Sequence, residues 1–251
     1  MLSPGELTLG GKLNIGPGGK SRNMAQMTAA FLGKNKVAMI SRISKDHLGL
    51  WEFPLQSLID SGVDTTYVKI LSFDDSGHKY PGIALIRIDK NGKNEIYVLP
   101  GVNEDFSCKD IDGADILFTN KTKQKIMILA LEIPIETVTY CIEKAVANKI
   151  RVILDPGGIN GSIDEILNHN IFFIKPNEHE TRAMTGIKII NFETAETASQ
   201  VLRPPALLWM LLINQELPIL KGKQILLQKQ IIFLKRQSNP LFVGLFRITV
   251  F

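Results

Sequence analysis

Cysteine is scarce in this sequence: only Cys108 and Cys141 occur among 251 residues, far apart along the chain. So few thiols exclude a disulfide-stapled scaffold, and their separation excludes the closely spaced pairs of a cysteine zinc site. They are expected to stay reduced, as in a cytosol. The four histidines, His47, His78, His169 and His179, show no metal-binding spacing either and read as surface or capping residues. Long apolar runs are also missing. No window approaches the ~18 consecutive apolar residues of a membrane helix, and the opening MLSPGELTLGGK lacks the apolar stretch of a secretory leader. The expectation is a cytoplasmic protein with no membrane partner.

Acidic residues are unevenly missing. Residues 203–251 contain no aspartate and one acid, Glu216, against seven Lys or Arg, with only Gly222 and Gly244 as glycines. Taking those seven bases and one acid from totals of 29 and 25 leaves 22 and 24 for residues 1–202. The overall charge of +4 and pI of 9.0 therefore belong to the last stretch, set off by Arg203-Pro204-Pro205. Basicity that can signal nucleic acid is not spread over the body, so no nucleic-acid partner is expected. Residues 225–227 and 231–234 are short, β-prone apolar runs around Gln228-Lys229-Gln230, the pattern of an aggregation liability rather than a binding arm.

What is present is a core. At 45% hydrophobic and 22% charged, a chain of this length can bury one α/β domain or two smaller ones. Apolar strands are expected at 36–40, 126–131, 151–154 and 171–174, alternating with helices. Asp46 is expected to open a helix toward Ser61-Gly62, Pro134 to precede an amphipathic helix at 136–148, and Pro176-Asn177 to lead into a helix carrying Glu180. Strand-then-helix alternation builds a parallel sheet, and ligands bind such sheets at the carboxyl ends of the strands. Residues 83–88 and 95–99 instead alternate with period two around Asp89-Lys90-Asn91-Gly92, and Asn-Gly marks a hairpin. Residues 5–15 are expected to add a strand beside it.

Three segments point to chemistry. Gly16-Pro17-Gly18-Gly19-Lys20-Ser21 is not a Walker A loop, because the required first glycine is Asn14. It leaves a glycine turn before a helix that carries Asn23. Either it is a plain turn, or backbone amides, Lys20 and Asn23 converge on hydroxyls or an anion. Asn177-Glu178-His179-Glu180 follows a strand at a helix start. It reads equally as an ordinary cap or as an amide and carboxylates facing magnesium-bound phosphate. Glu132 follows the apolar run 128–131, where a carboxylate is expected to be desolvated unless it has a partner or ligand.

Taken in order, GELTLGG, GPGGKSRNMAQMTAAFLG, SRISKDHLG, SGVDTTYV, VLPGVN, LALEIPIETV, VILDPGG and KPNEHETRAMTGI resemble successive blocks of the ribokinases, within the PfkB-type carbohydrate kinase family. The resemblance covers about residues 3–202. It implies a ribokinase-like three-layer α/β sandwich with a mostly parallel sheet and a small antiparallel β lid, C-terminally truncated. Residues 1–202 would be a partial sugar kinase domain with lid strands near 5–16 and 77–100, and 203–251 a basic apolar tail outside the family pattern. By the same resemblance Gly18, Gly19, Lys20, Asn23 and Glu132 bind the sugar. Asn177 and Glu180 hold the phosphate and magnesium network, Glu180 meeting the metal indirectly, through water. The implied reaction moves the ATP γ-phosphoryl group to the 5-hydroxyl of ribose or a similar sugar, with magnesium as cofactor and potassium as activator. The β lid implies a homodimer contact.

The sequence departs from that pattern at both ends. The family's late G-A-G-D segment, whose aspartate is the general base and whose helix start is the anion hole, has no counterpart, since residues 203–251 contain no aspartate. No residue is therefore assigned as catalytic. Losing a general base removes about 10²–10⁴ in rate, and an anion-hole donor about 10²–10³. Little or no transfer is expected, and a non-catalytic sugar-binding fragment or an unstable product is the alternative. Asp155, in the DPGG turn, is the nearby acid, although the family gives that turn no base role. The family's opening strand of the central sheet, with its sugar-binding Asn/Asp motif, is not recognisable ahead of residue 5. Ser21 and Arg22 replace small residues after Lys20, and Pro54 falls inside the expected helix, where an internal proline costs about 3 kcal/mol.

Overall fold

Apolar strands whose alternate side chains meet two different layers must be covered on both faces, and the computed structural model shows that arrangement. It describes residues 10–89, 91–92, 94–120, 125–158 and 163–202, with the backbone of 208–213, 230–234 and 247–250. Its elements in chain order are α1 (Lys20–Leu32), β1 (Val37–Ser44), α2 (Glu52–Asp60), β2 (Asp64–Leu71), β3 (Ile83–Ile88), β4 (Asn94–Leu99), α3 (Cys108–Asp112), α4 (Ile116–Thr119), β5 (Lys125–Ala130), α5 (Ile135–Ala147), β6 (Arg151–Asp155), α6 (Asp164–Leu167), β7 (Phe173–Ile174), α7 (Glu178–Thr185), α8 (Phe192–Val201), β8 (Leu208–Ile213), β9 (Gln230–Leu234) and β10 (Arg247–Val250).

The main sheet runs β2-β1-β10-β5-β6-β7-β8-β9, and only the β8–β9 pair is antiparallel. In β1, Val37 and Met39 face a layer with Ala25 and Ala29 of α1 and Leu58 of α2. Ala38 and Ile40 face the opposite layer, with Ile111 of α3 and Val138, Cys141 and Ile142 of α5. β5 divides the same way, with Ile128 toward α1 and Met127 and Leu129 toward α5. Three layers result, as the ribokinase-like expectation required. In α5 the buried residues Val138, Cys141, Ile142 and Ala145 recur at helical spacing. Complete burial pushes the Cys141 thiol well up, so it packs as a small apolar group.

Three stretches of residues 203–251 are strands of this sheet: β8 and β9 at one edge, and β10 between β1 and β5. β10 pairs on both sides, Val37 with Ile248 and Met39 with Val250 on one flank, Arg247 with Lys125 and Val250 with Ile128 on the other. The two ends of the body are thus joined through the end of the sequence.

Several local expectations change. Asp46 does not begin a helix; its carboxylate accepts hydrogen bonds from the amides of Leu48, Leu50 and Trp51, closing a turn, and α2 starts at Glu52. Pro54 is therefore in the first turn, where its missing N–H has no helical acceptor to lose, and the expected penalty does not arise. The 171–174 strand shortens to Phe173–Ile174. β3 and β4 form the expected antiparallel hairpin, Ile83 opposite Leu99 and Ile88 opposite Asn94. Its turn is closed by Gly92 N–H to the Asp89 carbonyl at 3.0 Å, with φ +78° at Gly92. No further strand joins it among the described residues: 10–16 are irregular and exposed, and 5–9 lie outside those described. Both hairpin faces carry exposed apolar residues, Leu85, Ile86, Ile88, Tyr97 and Val98.

Candidate functional site

The carboxyl ends of β5, β6 and β7 meet the amino end of α1, and their side chains converge there. Gly19, with φ 93°, leads into α1 and offers no side-chain cap. The orphan N–H of Lys20 donates instead to Glu132 Oε2 at 3.0 Å, so a carboxylate occupies the positive end of the helix, where an anion is stabilised. Glu132 lies in the turn beyond β5 and is exposed. Its carboxylate has the Lys20 amide as partner and faces solvent, because β5 ends at Ala130 and the turn carries Glu132 out of the core.

The Lys20 side chain runs the other way. Its Nζ lies 3.4 Å from Asp155 Oδ1 and 3.2 Å from Glu180 Oε1. Both carboxylates are nearly buried, and Lys175 Nζ holds the other Asp155 oxygen at 2.8 Å. Burial alone would lower the Lys20 pKa, but the charges of Asp155 and Glu180 outweigh it and leave it above its ordinary 10.5. For Asp155, burial pushes upward and is overcome by Lys175, by Lys20 and by the Gly157 amide, so its pKa falls below 3.8.

Glu180 is fixed by a reciprocal cap: Asn177 N–H donates to Glu180 Oε2 at 2.8 Å, and Glu180 N–H donates to Asn177 Oδ1 at 2.9 Å. The ordinary-cap reading of Asn177 and Glu180 is therefore realised, and Glu180's second oxygen serves Lys20 as well. Both oxygens are engaged within the chain, and among the described residues no three His, Cys, Asp or Glu side chains converge to hold a metal. The donor set does not fit direct ligation of magnesium, and no step is assigned to the metal.

Two glycines make this proximity possible. A Cβ on Gly157 would fall 1.5 Å from Lys20 Nζ, and one on Gly158, at φ +96°, would fall 2.5 Å from the Leu131 carbonyl oxygen. Gly158→Ala meets rigid backbone in a conformation L-residues avoid, and is expected to lower stability by about 1–3 kcal/mol. Gly157→Ala meets the end of a flexible side chain, so it is expected to displace the ammonium at less than half that cost. Denaturant midpoints of the two variants check this, and equal losses would contradict the placement of Lys20.

The glycine turn, Lys20, Glu132, Asn177 and Glu180 are thus brought together. Asn23 is exposed on α1 and bonded to its neighbour Arg22 rather than to this cluster. Sequence reasoning passed over Lys175, the second cation on Asp155; a lysine between a strand end and Pro176-Asn177 was the available signal. His78 lies 3.3 Å from exposed Asp74, His47 packs on Phe73, and His179 is exposed on α7.

Comparison with known proteins agrees with the fold. A family profile described as pfkB family carbohydrate kinase matches residues 2–206. The chain is 30% identical to a ribokinase of Haemophilus influenzae over 198 residues, 79% of this chain and 60% of that protein. It is 29% identical to a deoxyribokinase of Salmonella typhi over 202 residues, 80% of this chain and 62% of that protein. It therefore spans about three fifths of the length of these relatives. Among solved structures, a ribokinase from Arabidopsis thaliana complexed with ribose and ATP superposes with a TM-score of 0.63 at 23% identity, over 77% of this chain and 60% of that one. One from Cryptococcus neoformans in complex with ADP gives 0.64 at 17%, over 96% and 75%. These likenesses establish the fold. Among the described residues no helix is long and apolar enough to cross a membrane.

Proposed function

The chain belongs to the pfkB family of carbohydrate kinases, and from that premise we propose that it is a ribokinase-type sugar-binding chain whose phosphoryl transfer is greatly weakened. The observation that carries this reading is the convergence of Lys20, Glu132, Asp155 and Glu180 at the strand ends beside α1. Glu132, exposed and negative, accepts hydrogen bonds from sugar hydroxyls, and the amides of the Gly18-Gly19 turn donate to them. Nearby, the Lys20 ammonium meets the oxygens of a transferring phosphoryl group, which compete with Asp155 and Glu180 for it. Family members take ATP, but the residues that would hold a nucleotide are not recognisable in 203–251. The exposed apolar hairpin β3–β4 is proposed as the lid over the sugar and as the contact of a homodimer.

Weak transfer follows from proton affinity. A general base works best with a pKa near the working pH. Asp155, the acid nearest the cluster's centre, is held below 3.8 by two lysines. It is therefore a poor acceptor for a hydroxyl proton, and residues 203–251 supply no other aspartate. Calorimetry with ribose and folded protein is expected to give binding heat. Coupled ADP release is expected to run at least 10²-fold below the ~1–100 s⁻¹ of working kinases. Turnover in that range would refute the weakened transfer, and absence of ribose heat would refute the binding.

A further inference from the structure

We propose that Arg22 is the positioning residue of the sugar-binding turn, holding its carbonyls away from the ligand and presetting the amide of Asn23. The proposal rests on the reading of that turn as a sugar site. Arg22 is only 7% exposed although it lies in the first turn of α1. A buried guanidinium is normally matched by a carboxylate, and among the described residues no carboxylate is a partner of this one. Its acceptors are neutral. Nε donates to the Gly18 carbonyl at 2.8 Å. Nη1 donates to Gln26 Oε1 at 2.6 Å and to Ser57 Oγ of α2 at 3.1 Å. Nη2 donates to the Pro17 carbonyl at 3.1 Å and to Asn23 Oδ1.

A guanidinium has five N–H donors, and these five acceptors use them all. Two are consecutive carbonyls of the glycine turn. Pinning them on the Arg22 side turns the Gly18 and Gly19 amides, the other halves of the same two peptides, away from Arg22. A third is the Asn23 oxygen. With that oxygen engaged, the free part of the Asn23 amide is its NH2, so Asn23 meets a ligand as a donor and selects an acceptor such as a hydroxyl oxygen. Ser57 ties the assembly to α2, whose Leu58 is anchored in the core. A lysine has one ammonium in place of the planar fork and reaches only part of this set.

The test uses the full chain with Arg22→Ala, Arg22→Lys and, as a control, Gln56→Ala, an exposed position of α2 bonded to Asp60 and not to Arg22. Ribose affinity by calorimetry is expected to fall at least tenfold in Arg22→Ala, by less in Arg22→Lys, and to stay within twofold in Gln56→Ala. All are measured below each variant's unfolding temperature, so a merely structural role would lower the melting point and leave affinity alone. A folded Arg22→Ala with affinity within twofold of wild type overturns the proposal. If that variant does not fold, Arg22→Lys decides by the same limit. If the wild type gives no ribose heat, the sugar reading fails by itself, and amide exchange at residues 18–20 decides for Arg22. A tenfold or greater acceleration in the variant supports the role in the turn, and unchanged exchange overturns it.

Discussion

Ile248→Pro is expected to unfold the main sheet, and Ile232→Pro to leave it standing. Both positions lie in short strands of the same basic stretch, but their places in the sheet differ. Among the described residues β9 is an edge, bonded only to β8, whereas β10 is bonded to β1 on one side and β5 on the other. Edge strands tolerate a missing donor because that side can face water; a central strand has no such side. Both neighbours are core strands: residues 37–40 of β1 and 127–130 of β5 are all buried. Without β10 their facing edges would present unpaired backbone groups across a gap of about 10 Å, two strand spacings. Each buried group left unpaired costs about 1–3 kcal/mol. A central proline is therefore expected to cost about 3 kcal/mol or more, a large share of the ~5–15 kcal/mol that stabilises a domain. Urea midpoints and amide exchange at residues 37–39 and 126–128 provide the measurement. Should Ile248→Pro prove no more damaging than Ile232→Pro, β10 is not the strand that joins the two halves.

The part of the architecture written in local pattern was legible beforehand. The hairpin announces itself through period-two alternation and Asn91-Gly92, and the junctions at Pro134 and at Pro176-Asn177 through proline, cap and apolar run. β10 carries no such mark. A four-residue strand pairs by register with residues more than a hundred positions earlier, and nothing within Arg247–Val250 names its neighbours. Pro54 misled in the opposite sense: the apolar run at 48–58 reads as one helix from Asp46, but three amides folded onto the Asp46 carboxylate delay the helix until Glu52. That contest between a side-chain acceptor and the helix ladder is a geometric outcome.

The candidate site divides along the same line. Asn177 and Glu180 could be read from sequence because a capping box is a local device, four residues long. Glu132 was identified, but its exposure was not, since one residue more or less at the end of β5 decides whether the carboxylate turns inward or out. The resemblance makes Lys20 a sugar ligand, and in the structure its side chain reaches Asp155 and Glu180, through space left by Gly157. The opposing charges at 155, 175 and 180 come from the ends of two neighbouring strands, β6 and β7, and only the sheet order brings them together.

That ionic cluster makes the effect of Lys20→Met predictable in sign. The depressed pKa of Asp155 contributes stability above its ordinary 3.8, lost as pH falls through the lower folded value. The raised pKa of Lys20 contributes stability below its ordinary 10.5, lost as pH rises through the higher folded value. The wild type is therefore expected to be most stable across the window between those limits. Among the described residues, Lys20→Met leaves Glu180 with the Asn177 amide and no cation, and Asp155 with Lys175 and the Gly157 amide. The stranded carboxylates cost about 1–3 kcal/mol near neutrality, with the ammonium's 39% exposure placing the loss toward the lower end. Because protonation relieves a stranded carboxylate, the loss is expected to shrink toward pH 4, so the melting temperatures of variant and wild type converge on acidification. The alkaline decline above pH 10.5 due to Lys20 disappears from the variant. Melting curves from pH 3 to 11 would read out both trends. Parallel profiles, offset by a constant, would mean that Lys20 contributes packing alone and that its ammonium does not neutralise Asp155 and Glu180.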